Sequence, residues 1–580
     1  MKKPLPVLAG CLIGFCSSAL AQSPYIPLNT DYYHLIDRME IRQGRWSEGF
    51  HSSFKAYNRQ SVIQLTDSVL TNQDYPLSAT DRFNLGYLRD DSWEWIKPIA
   101  DSVKVDPLAR HSIVAGTQQG DSEKPLFGIF YKKKSDFYSL QTPELDLHVS
   151  PVIYLDYTRE AGNNNLLYTN TRGLEVRGTI MKKLGFYTYF ADNQAYYPKY
   201  IQEYGQVYAR QETDAGFAPG EGLAKLYRNR GADFLAARGH FTFNVLKAIN
   251  VQFGHDRNFI GNGYRSLFLS DNAAPYLFLK LTTRFGKRFQ YTNLFTELQN
   301  VQASIPANEL VPQKYMAMHH LSVNLTKNIN LGVFEAVVYS RDRLELGYLN
   351  PVILYRFVES YRGSADNTLA GIDLKVNFLK HFMAYGQILL DEFRISDLRA
   401  GNGSWTNKYA TQAGLKYIDA FGIQNLDLQG EFNMARPYTY SHFGGQTNYV
   451  HYNQPLAHPL GANFFEWLGI ARFQHQRLTV SGLFSVMQYG DDPPGRNYGR
   501  DILKNYDTRF RSEGNFIGQG RQTIISYAEG RASYMFKHNL FLDARYTYRL
   551  RSSQFRSSEY ASNLLTFGAR WNFAYRNLVY

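Results

Sequence analysis

The chain has 580 residues, including 44 Tyr and 39 Phe, and its mean hydropathy is -0.39. Its formal net charge is +12, but the 63 Lys and Arg residues are spread along the chain and form no basic tract. Nucleic-acid binding needs a clustered basic patch, so this charge distribution argues against that class of function.

Residues 1–21 are predicted to be a secretory signal peptide, because two lysines precede a short apolar run that ends in small residues at Ala19 and Ala21. The run is too short for a membrane-spanning helix, which needs roughly 20 residues. An alternative is a lipoprotein signal, since the stretch LAGC at residues 8–11 resembles a lipobox and would lipidate Cys11. Cleavage after Ala21 removes both cysteines, Cys11 and Cys16, and with them any disulfide or thiol chemistry.

Residues 22–120 are predicted to form a small periplasmic α-helical bundle or plug, with a loosely ordered leader as the alternative. Apolar residues recur at helical spacing in three segments, and the third segment begins with a capping pattern of Ser78 and Asp81. Amphipathic helices must bury their apolar stripes, so we expect them to pack against the domain that follows. The stripes consist of Leu35, Ile36, Met39, Val62, Leu65, Val69, Leu85 and Leu88.

Residues 121–580 alternate apolar and polar side chains with a period of two, which is typical of β-strands. In one segment Ala370, Ile372 and Leu374 alternate with Asp373 and Lys375. An apolar face opposite a charged face indicates a strand with lipid on one side and a lumen on the other, and the many Tyr and Phe residues fit aromatic girdles. We predict an all-β transmembrane barrel of about 18 antiparallel strands, the even number expected for one bacterial chain.

Short and long connections alternate between the predicted strands. The short ones, such as Lys182-Lys183 and Gly286-Lys287-Arg288, are typical of hairpin turns, which lie on the periplasmic rim of such barrels. The long polar connections are predicted to be outer loops at about 198–231, 301–314, 342–366, 395–406, 439–461 and 491–519.

The residues predicted to face the lumen carry both charge signs at close spacing. Opposite charges are able to cross-link and fill a lumen, whereas a selective pore tends to present rings of one sign. We expect a largely occluded barrel, with charges solvated in a wide pore as the alternative. Opposite charges lie two residues apart at Glu175 and Arg177, Asp373 and Lys375, Glu529 and Arg531, and Asp543 and Arg545.

The final stretch, LTFGARWNFAYRNLVY at 565–580, alternates in the same way and is predicted to be a lipid-facing strand. Within it Thr566, Gly568, Trp571 and Phe573 fit a polar-x-Gly-x-x-aromatic-x-aromatic pattern, which resembles the β-signal of outer-membrane barrels. The resemblance implies that the barrel-assembly machinery recognises these four residues as an assembly signal.

One stretch, GHDRNFIGNGYRSLFLSDNAAPYLFLKL at 254–281, resembles the signature region of the capsule-assembly barrels of the Wzi family. Phe259 and Gly261-Asn262-Gly263 stand where many members have a tryptophan and Gly-Pro-Gly. Two later stretches, FEAVVYSRDRLELGYLNPVILYR and FLKHFMAYGQILLDEF, are similar to the Bacteroidetes branch of the family, which includes RemB-type gliding-motility barrels. The predicted family-motif loop consists of Gly261, Asn262, Gly263, Arg265, Ser266, Ser270, Asn272 and Pro275.

This resemblance implies an outer-membrane barrel closed by a periplasmic helical bundle, acting as a lectin that retains exported capsular polysaccharide. The expected partners are outer-membrane lipid, the assembly machinery and the polysaccharide, with no cofactor and no metal, for a protein predicted to be monomeric. Independently, loop aromatics provide flat faces for sugar stacking, although an interfacial girdle is an equal alternative. The glycan-binding candidates are Trp405, Tyr438, Tyr440, His442, Tyr449 and Tyr452.

Three other functions remain open for a Gram-negative outer-membrane barrel: a gliding-motility or secretion accessory, a diffusion or uptake channel, and a hydrolase. A hydrolase would need a paired nucleophile and base, such as His255 with Ser266 or a site at His319-His320, yet no Gly-x-Ser-x-Gly surrounds them. Asp391-Glu392 are predicted to point to opposite faces of a strand and so to share no substrate. We therefore predict no catalytic residue.

Overall fold

The computed structural model describes residues 22–72, 74–97, 124–206, 214–301, 310–341, 343–363, 366–554, 559–576 and 578–580. The predicted signal peptide at 1–21 and the predicted domain boundary at 120 lie outside these ranges. Within them the predicted barrel is confirmed, because 18 antiparallel strands form a closed ring.

The barrel strands are numbered β1 to β18 in chain order, and each pairs with the next. Strands β1 to β9 are Leu145–Glu160, Leu167–Ile180, Leu184–Tyr196, Gly231–Leu246, Ile249–Asp256, Tyr276–Phe285, Phe289–Gln299, Gln313–Asn324 and Ile329–Tyr339. Strands β10 to β18 are Asn367–Phe378, Phe382–Leu390, Tyr409–Tyr417, Leu426–Ala435, Phe464–His475, Leu478–Asp491, Arg521–Lys537, Leu540–Ser553 and Tyr560–Trp571. Strand β18 closes the ring on β1, with Leu564 opposite Glu160 and Trp571 opposite Ile153.

The two faces of each strand follow from the side-chain period of two. In β10 the Ile372 side chain is 53% exposed on the outer face, whereas Asp373 and Lys375 are buried in the lumen. The tight turns of two to four residues, such as 247–248 between β4 and β5, lie at one rim, and the connections longer than ten residues lie at the other. The short-turn rim is the periplasmic one by the general rule for bacterial barrels.

Three helices precede the barrel, as the sequence predicts: α1 (Thr30–Gln43), α2 (Arg59–Leu70) and α3 (Ala79–Asp91). The Asn29 side chain caps α1, and Ser78 with Asp81 forms a capping box at the start of α3. The three apolar stripes share one buried cluster. We call the described residues between 22 and 97 the plug.

The long connections contain α4 (Lys199–Gln206), α5 (Tyr355–Tyr361) and α6 (Ile395–Ala400). None of the helices in the described ranges is long and apolar enough to cross a membrane.

The connection between β5 and β6, residues 257–275, contains the predicted family-motif loop and folds into the lumen; it is not one of the predicted outer loops. Its segment Phe259–Ile260 pairs with Phe54–Lys55 of the plug. Phe268 of this connection is fully buried, and a Cβ on Gly371 of β10 would lie 2.5 Å from the Phe268 ring. The apolar residues of this connection thus pack inside the barrel. The wall has a glycine at position 371 because a larger residue there would collide with the Phe268 ring.

The connection 343–363 folds back onto the outer wall of the barrel instead of extending away from it. Glu335 on the outer face of β9 accepts the backbone N–H groups of Tyr355 and Arg356, each at 3.0 Å. Tyr355 is buried there against the outward-facing residues Ala317 and Val337. A predicted outer loop therefore covers part of the wall that would otherwise face lipid.

The prediction that the final strand continues to the end of the chain is wrong. Strand β18 ends at Trp571, and the chain then turns at Asn572 into the lumen. Phe573 is buried there and stacks on Tyr154 with ring centroids 4.8 Å apart. Phe573 therefore packs in the lumen instead of facing lipid, because residues 572–576 have left the sheet.

We expect replacement of Trp571 and Phe573 together by Asp to leave the protein unassembled in the periplasm, if Thr566, Gly568, Trp571 and Phe573 form an assembly signal. The single Phe573→Asp variant separates recognition from loss of packing on Tyr154. Heat-modifiable migration of outer-membrane fractions measures assembly, with Phe443→Asp in an outer loop as the control. Normal assembly of the double variant would contradict the prediction.

Candidate functional site: the filled lumen and the outer loops

Arg38 of α1 anchors the plug to the periplasmic rim of the barrel. Its guanidinium group donates to Asp419 and Asp427 of the barrel at 2.6 Å each, and to Asp81 of α3 at 3.2 Å. All four side chains are almost fully buried. Because a buried charge is tolerated only with a partner, the cluster holds α1, α3 and the β12–β13 region together.

The lumen-facing charges pair with the plug, with nearby strands or with the segment before β1, and not along their own strands. Parallel side chains two residues apart on a strand extend side by side, so their tips meet the plug or the next strand more readily than each other. The observed pairs are Arg177 with Glu94 and Asp136, Asp373 with His320, Lys375 with Glu40 at 3.9 Å, Arg531 with Asp31, and Asp543 with Arg570.

Asp31 in the plug shows how strongly these pairs act. Burial alone would raise the pKa of its carboxyl group, but the Arg531 and Arg570 guanidinium groups hold that pKa well below its usual value. The carboxylate lies 2.9 Å from Arg531 Nη2. The plug is therefore held by charged groups at neutral pH.

The family-motif loop lies inside the barrel and joins the plug to the wall. Gly261 N–H donates to the Ser53 carbonyl of the plug at 2.8 Å, and Asn262 Nδ2 donates to the Ser53 hydroxyl at 3.4 Å. The Ser266 hydroxyl donates to the Ile260 carbonyl. The first two contacts extend the two-residue ladder between the loop and the plug, and the third holds the loop itself together.

The middle of the motif contacts the wall. The N–H groups of Tyr264 and Arg265 donate to the Glu431 carboxylate of β13 at 2.7 and 3.0 Å. A Cβ on Gly263 would collide with the same carboxylate. The Arg265 guanidinium pairs with Glu466 of β14 at 3.0 Å. The second glycine and the arginine of the motif therefore have structural reasons for their identity.

The last part of the motif contacts the connection 436–463, which also folds into the lumen. The hydrogen bonds are Ser270 N–H to the Leu456 carbonyl (2.8 Å), Asn272 Nδ2 to the Pro455 carbonyl (3.0 Å) and His451 Nε2 to the Pro275 carbonyl (3.0 Å). All eight residues of the predicted motif loop thus lie together, at a junction of plug, wall and loop.

Four of the predicted glycan-binding residues are buried in this junction or beside it. The hydroxyls of Tyr440 and Tyr449 donate to the carbonyls of Leu267 and Phe268 at 2.8 and 2.7 Å. Tyr438 donates to a backbone carbonyl of the neighbouring loop, and the buried His442 ring contacts the Thr447 hydroxyl. The three tyrosine rings pack the loop in place, so in this conformation they present no face to an external sugar.

Trp405 and Tyr452 are half-buried, and Trp405 belongs to an aromatic and cationic surface on the outer loops. The Arg509 guanidinium lies 4.4 Å above the Trp405 ring, and the Tyr506 ring is 4.7 Å away. Phe510 and Phe516 of the same loop are exposed. We call these five side chains the outer-loop surface.

The two connections that carry this surface, 391–408 and 492–520, are fixed to each other. Asp391 and Glu392 both lie 3.1 Å from the Lys408 Nζ atom, in contrast to the prediction that they point apart. Strand β11 ends at Leu390, so the alternation of a strand no longer applies to them. Asn515 N–H donates to the Gly403 carbonyl at 2.8 Å, which joins the two connections.

The residue pairs considered for hydrolysis are not assembled. His319 contacts Glu335 on the outer face at 2.8 Å, whereas His320 contacts Asp373 in the lumen at 2.7 Å. His255 is exposed and contacts a backbone carbonyl, whereas Ser266 is buried in the motif loop.

The segment after β18 is the fourth part of the chain inside the lumen. The Tyr575 hydroxyl donates to Glu529 at 2.7 Å, and Arg576 lies 3.3 Å from Glu221. The Val579 carbonyl accepts from Arg265 at 3.0 Å. We call residues 572–576 and 578–580 the tail.

A cavity of about 230 Å³ remains between plug, motif loop, tail and wall. Its lining runs from Asn539 in a periplasmic turn to Pro219 and Pro459 in connections at the opposite rim. Its cationic side chains are Lys55, Arg59, Arg238, Arg257, Arg265, Lys416, Arg472 and Arg576, and its carboxylates are Asp37, Asp91, Glu175, Glu221 and Asp271. Sequence reasoning missed this cavity, since Lys55 lies in the plug and no local pattern brings it to the lumen-facing Arg472.

The closed ring with an apolar outer face, a charged lumen and unequal rims defines a large outer-membrane β-barrel. No protein-family model matches the sequence, and no curated protein is similar to it in sequence. A solved structure of similar fold is Wzi, a protein of Escherichia coli described as involved in group 1 capsule assembly and as a carbohydrate-binding β-barrel. It is 10% identical with a TM-score of 0.54, and the match covers 96% of this chain and 100% of that chain.

Two other solved proteins, both of Pseudomonas aeruginosa, are more distant in structure. OprD and OpdK, the latter solved with vanillate, are each 10% identical at a TM-score of 0.41. The matches cover 74% of this chain and 94% and 98% of theirs. The similarity to Wzi shows a shared fold, and the similarity to OprD and OpdK is too low to support an argument.

We expect Arg38→Met to loosen the plug, because it removes the cation that Asp81, Asp419 and Asp427 share and leaves Asp419 with Arg42 and Asp427 with His34 as their remaining partners. Breaking a buried pair in this way costs roughly 3–5 kcal/mol. Thermal unfolding and limited proteolysis of the purified barrel measure the effect, and we expect faster cleavage within residues 22–97. Arg45→Met is the control, because the exposed Arg45 contacts only plug residues. Equal cleavage of both variants would contradict the role of Arg38.

Proposed function

We propose that this outer-membrane barrel is a non-catalytic, non-conducting, carbohydrate-binding protein that retains a surface polysaccharide through its outer loops. The filled lumen carries the proposal. Four parts of the chain occupy the described lumen, which leaves the outer loops as the surface that is able to meet a polymer. The solved barrel with which this chain shares its fold is described as carbohydrate-binding, which supports the same class of ligand.

The outer-loop surface has the chemistry that sugars need. Aromatic rings stack on the apolar faces of sugar rings, and guanidinium groups donate hydrogen bonds to hydroxyl or carboxylate groups. The contacts between the loops hold these groups in place before any ligand arrives, which lowers the entropy cost of binding. Single contacts with a sugar are weak, but a repeating polymer gains retention by engaging several sites at once.

The proposal also covers the branch of the family that this protein resembles and its role in the cell. The stretch at 334–356 is similar in sequence to RemB-type gliding-motility barrels, which favours a Bacteroidetes protein and keeps a motility or secretion accessory as the second candidate. We propose a monomer whose partners are lipid, the assembly machinery and the polysaccharide. Affinity purification from envelopes separates the candidates: recovered glycan supports the lectin, and recovered machinery supports the accessory.

We expect the double variant Trp405→Ala and Phe510→Ala to release surface glycan into the medium while the barrel still assembles. The loss of two stacking rings removes contacts on which multivalent retention depends, so a several-fold rise in released glycan follows. Glycan staining of cells and medium measures it.

The control is Tyr361→Ala, which removes a ring that is 89% exposed on the connection covering the outer wall. Retained glycan in the double variant, or equal release by the control, would count against the outer-loop surface. Shortening of the polymer by purified protein would overturn the non-catalytic part of the proposal.

A diffusion or uptake channel is the third candidate, and the cavity that extends between the rims favours it. For the occluded barrel we expect no steady conductance in planar bilayers. Deletion of residues 22–120 should raise conductance or antibiotic entry, because it removes the plug and its charged anchors. Large, steady openings of the intact protein would instead establish a channel, and unchanged permeability after deletion would contradict a capping role of the plug.

A further inference from the structure

The cavity carries an excess of positive charge that its own carboxylates do not balance. Five of its eight cations form ion pairs, for example Lys416 with Asp37 at 2.6 Å and Arg59 with Asp91 at 2.7 Å. The other three, Lys55, Arg257 and Arg472, form no ion pair with any carboxylate in the described ranges.

Lys55 is the most deeply buried of the three, with 7% of its surface exposed. Its Nζ atom lies 4.7 Å from the centre of the Phe259 ring and 5.5 Å from that of Tyr33, and it has no hydrogen-bond acceptor among the described residues. Burial lowers the pKa of the Lys55 ammonium group to about 8, so it is still mostly protonated at pH 7. A buried cation without an anion is costly, which points to a partner that enters the cavity.

The other open donors face the same cavity. Among the described residues, Arg257 donates only to the backbone carbonyls of Gly220 and Asp271, at 3.4 and 2.9 Å, and its Nε atom is buried there without an acceptor. The Tyr264 hydroxyl is likewise buried without a hydrogen-bond partner in the described structure.

The carboxylates that lack an ion pair do not remove this excess. Glu175 accepts a hydrogen bond from the Tyr187 hydroxyl at 3.2 Å, and Asp271 is exposed at the edge of the cavity. The excess cations therefore remain available to a ligand.

We propose that the cavity binds a compact anion carrying a carboxylate or phosphate group, with Lys55, Arg257 and Arg472 as its cationic contacts and Tyr264 as a hydroxyl donor. Pockets for drug-sized ligands have volumes of roughly 300–1,000 Å³. A cavity of about 230 Å³ thus suits a single acidic sugar unit or a small phosphate, and it excludes a polymer strand. The site lies inside the wall and is separate from the outer-loop surface, so the two proposals stand or fall independently.

The test is thermal unfolding of the purified full-length barrel in detergent at constant ionic strength, with inorganic phosphate, glucuronate or glucose as the probe. A ligand that binds only the folded protein raises the unfolding temperature with its concentration. We expect phosphate or glucuronate to raise it and glucose to have no effect. The anion with the stronger response identifies the preferred group.

Lys55→Met is the decisive variant, because it keeps the length of the side chain and removes its charge. We expect its unfolding temperature without anion to be no lower than that of the wild type, since an unpaired buried charge is lost. We expect its anion affinity to fall about tenfold or more, as for a lost charge-assisted hydrogen bond. Arg472→Gln should show the same loss of affinity.

Lys287→Gln is the matched control, because this lysine is 68% exposed in a periplasmic turn and should retain the full response. No response of the wild type to either anion, an equal response to glucose, or a full response of Lys55→Met would overturn the proposal.

Discussion

The need to pair every charge that faces the lumen is the constraint on which the rest of this structure depends. A strand that is apolar toward lipid must place its polar residues inside, and this chain places Arg, Lys, Asp and Glu there. Inside a protein wall such charges are stable only with partners. Arg38, between three carboxylates, is the clearest example. The lumen is filled because its charged side chains need partners of opposite charge, and the chain itself provides most of these partners.

The segments that fill the lumen support each other. The motif loop contacts the plug through Gly261, the wall through Arg265 and the 436–463 connection through Ser270. Arg265 also donates to the tail. One short motif thus contacts all the inner segments. Its packing role accounts for the identity of its residues without a ligand. The same contacts also restrain the outer loops, because the 436–463 connection begins among them.

The sequence predicted the fold well because its signals were local. Alternation in β10 and the capping pattern at Ser78 depend on neighbouring residues, and both appear in the structure. The errors arose where distant parts of the chain decide the outcome. Phe573 continues an alternating pattern, yet contact with Tyr154 draws it into the lumen. Tyr440 and Tyr449 stand in polar loops, and only their contacts with residues of the motif loop bury them.

The candidate site was harder to predict for the same reason. Lys55 and Arg472 are more than 400 positions apart in the sequence, and their shared cavity exists only after the ring has closed around the plug. By contrast, the inward direction of Arg472 was predictable from the strand period. The sequence therefore indicated which residues face inward and could not indicate which of them meet.

The plug contacts also have a consequence for the order of folding. Asp31 and Arg531 are separated by 500 residues, and Arg38 reaches its barrel partners across 381 and 389 residues. Contacts between such distant positions form slowly, because a long loop of chain must close before they give any stabilisation. The helices α1 to α3 precede every barrel strand in the chain, yet their binding surface is complete only when β18 has paired with β1. The first elements to be made are thus among the last to reach their final positions.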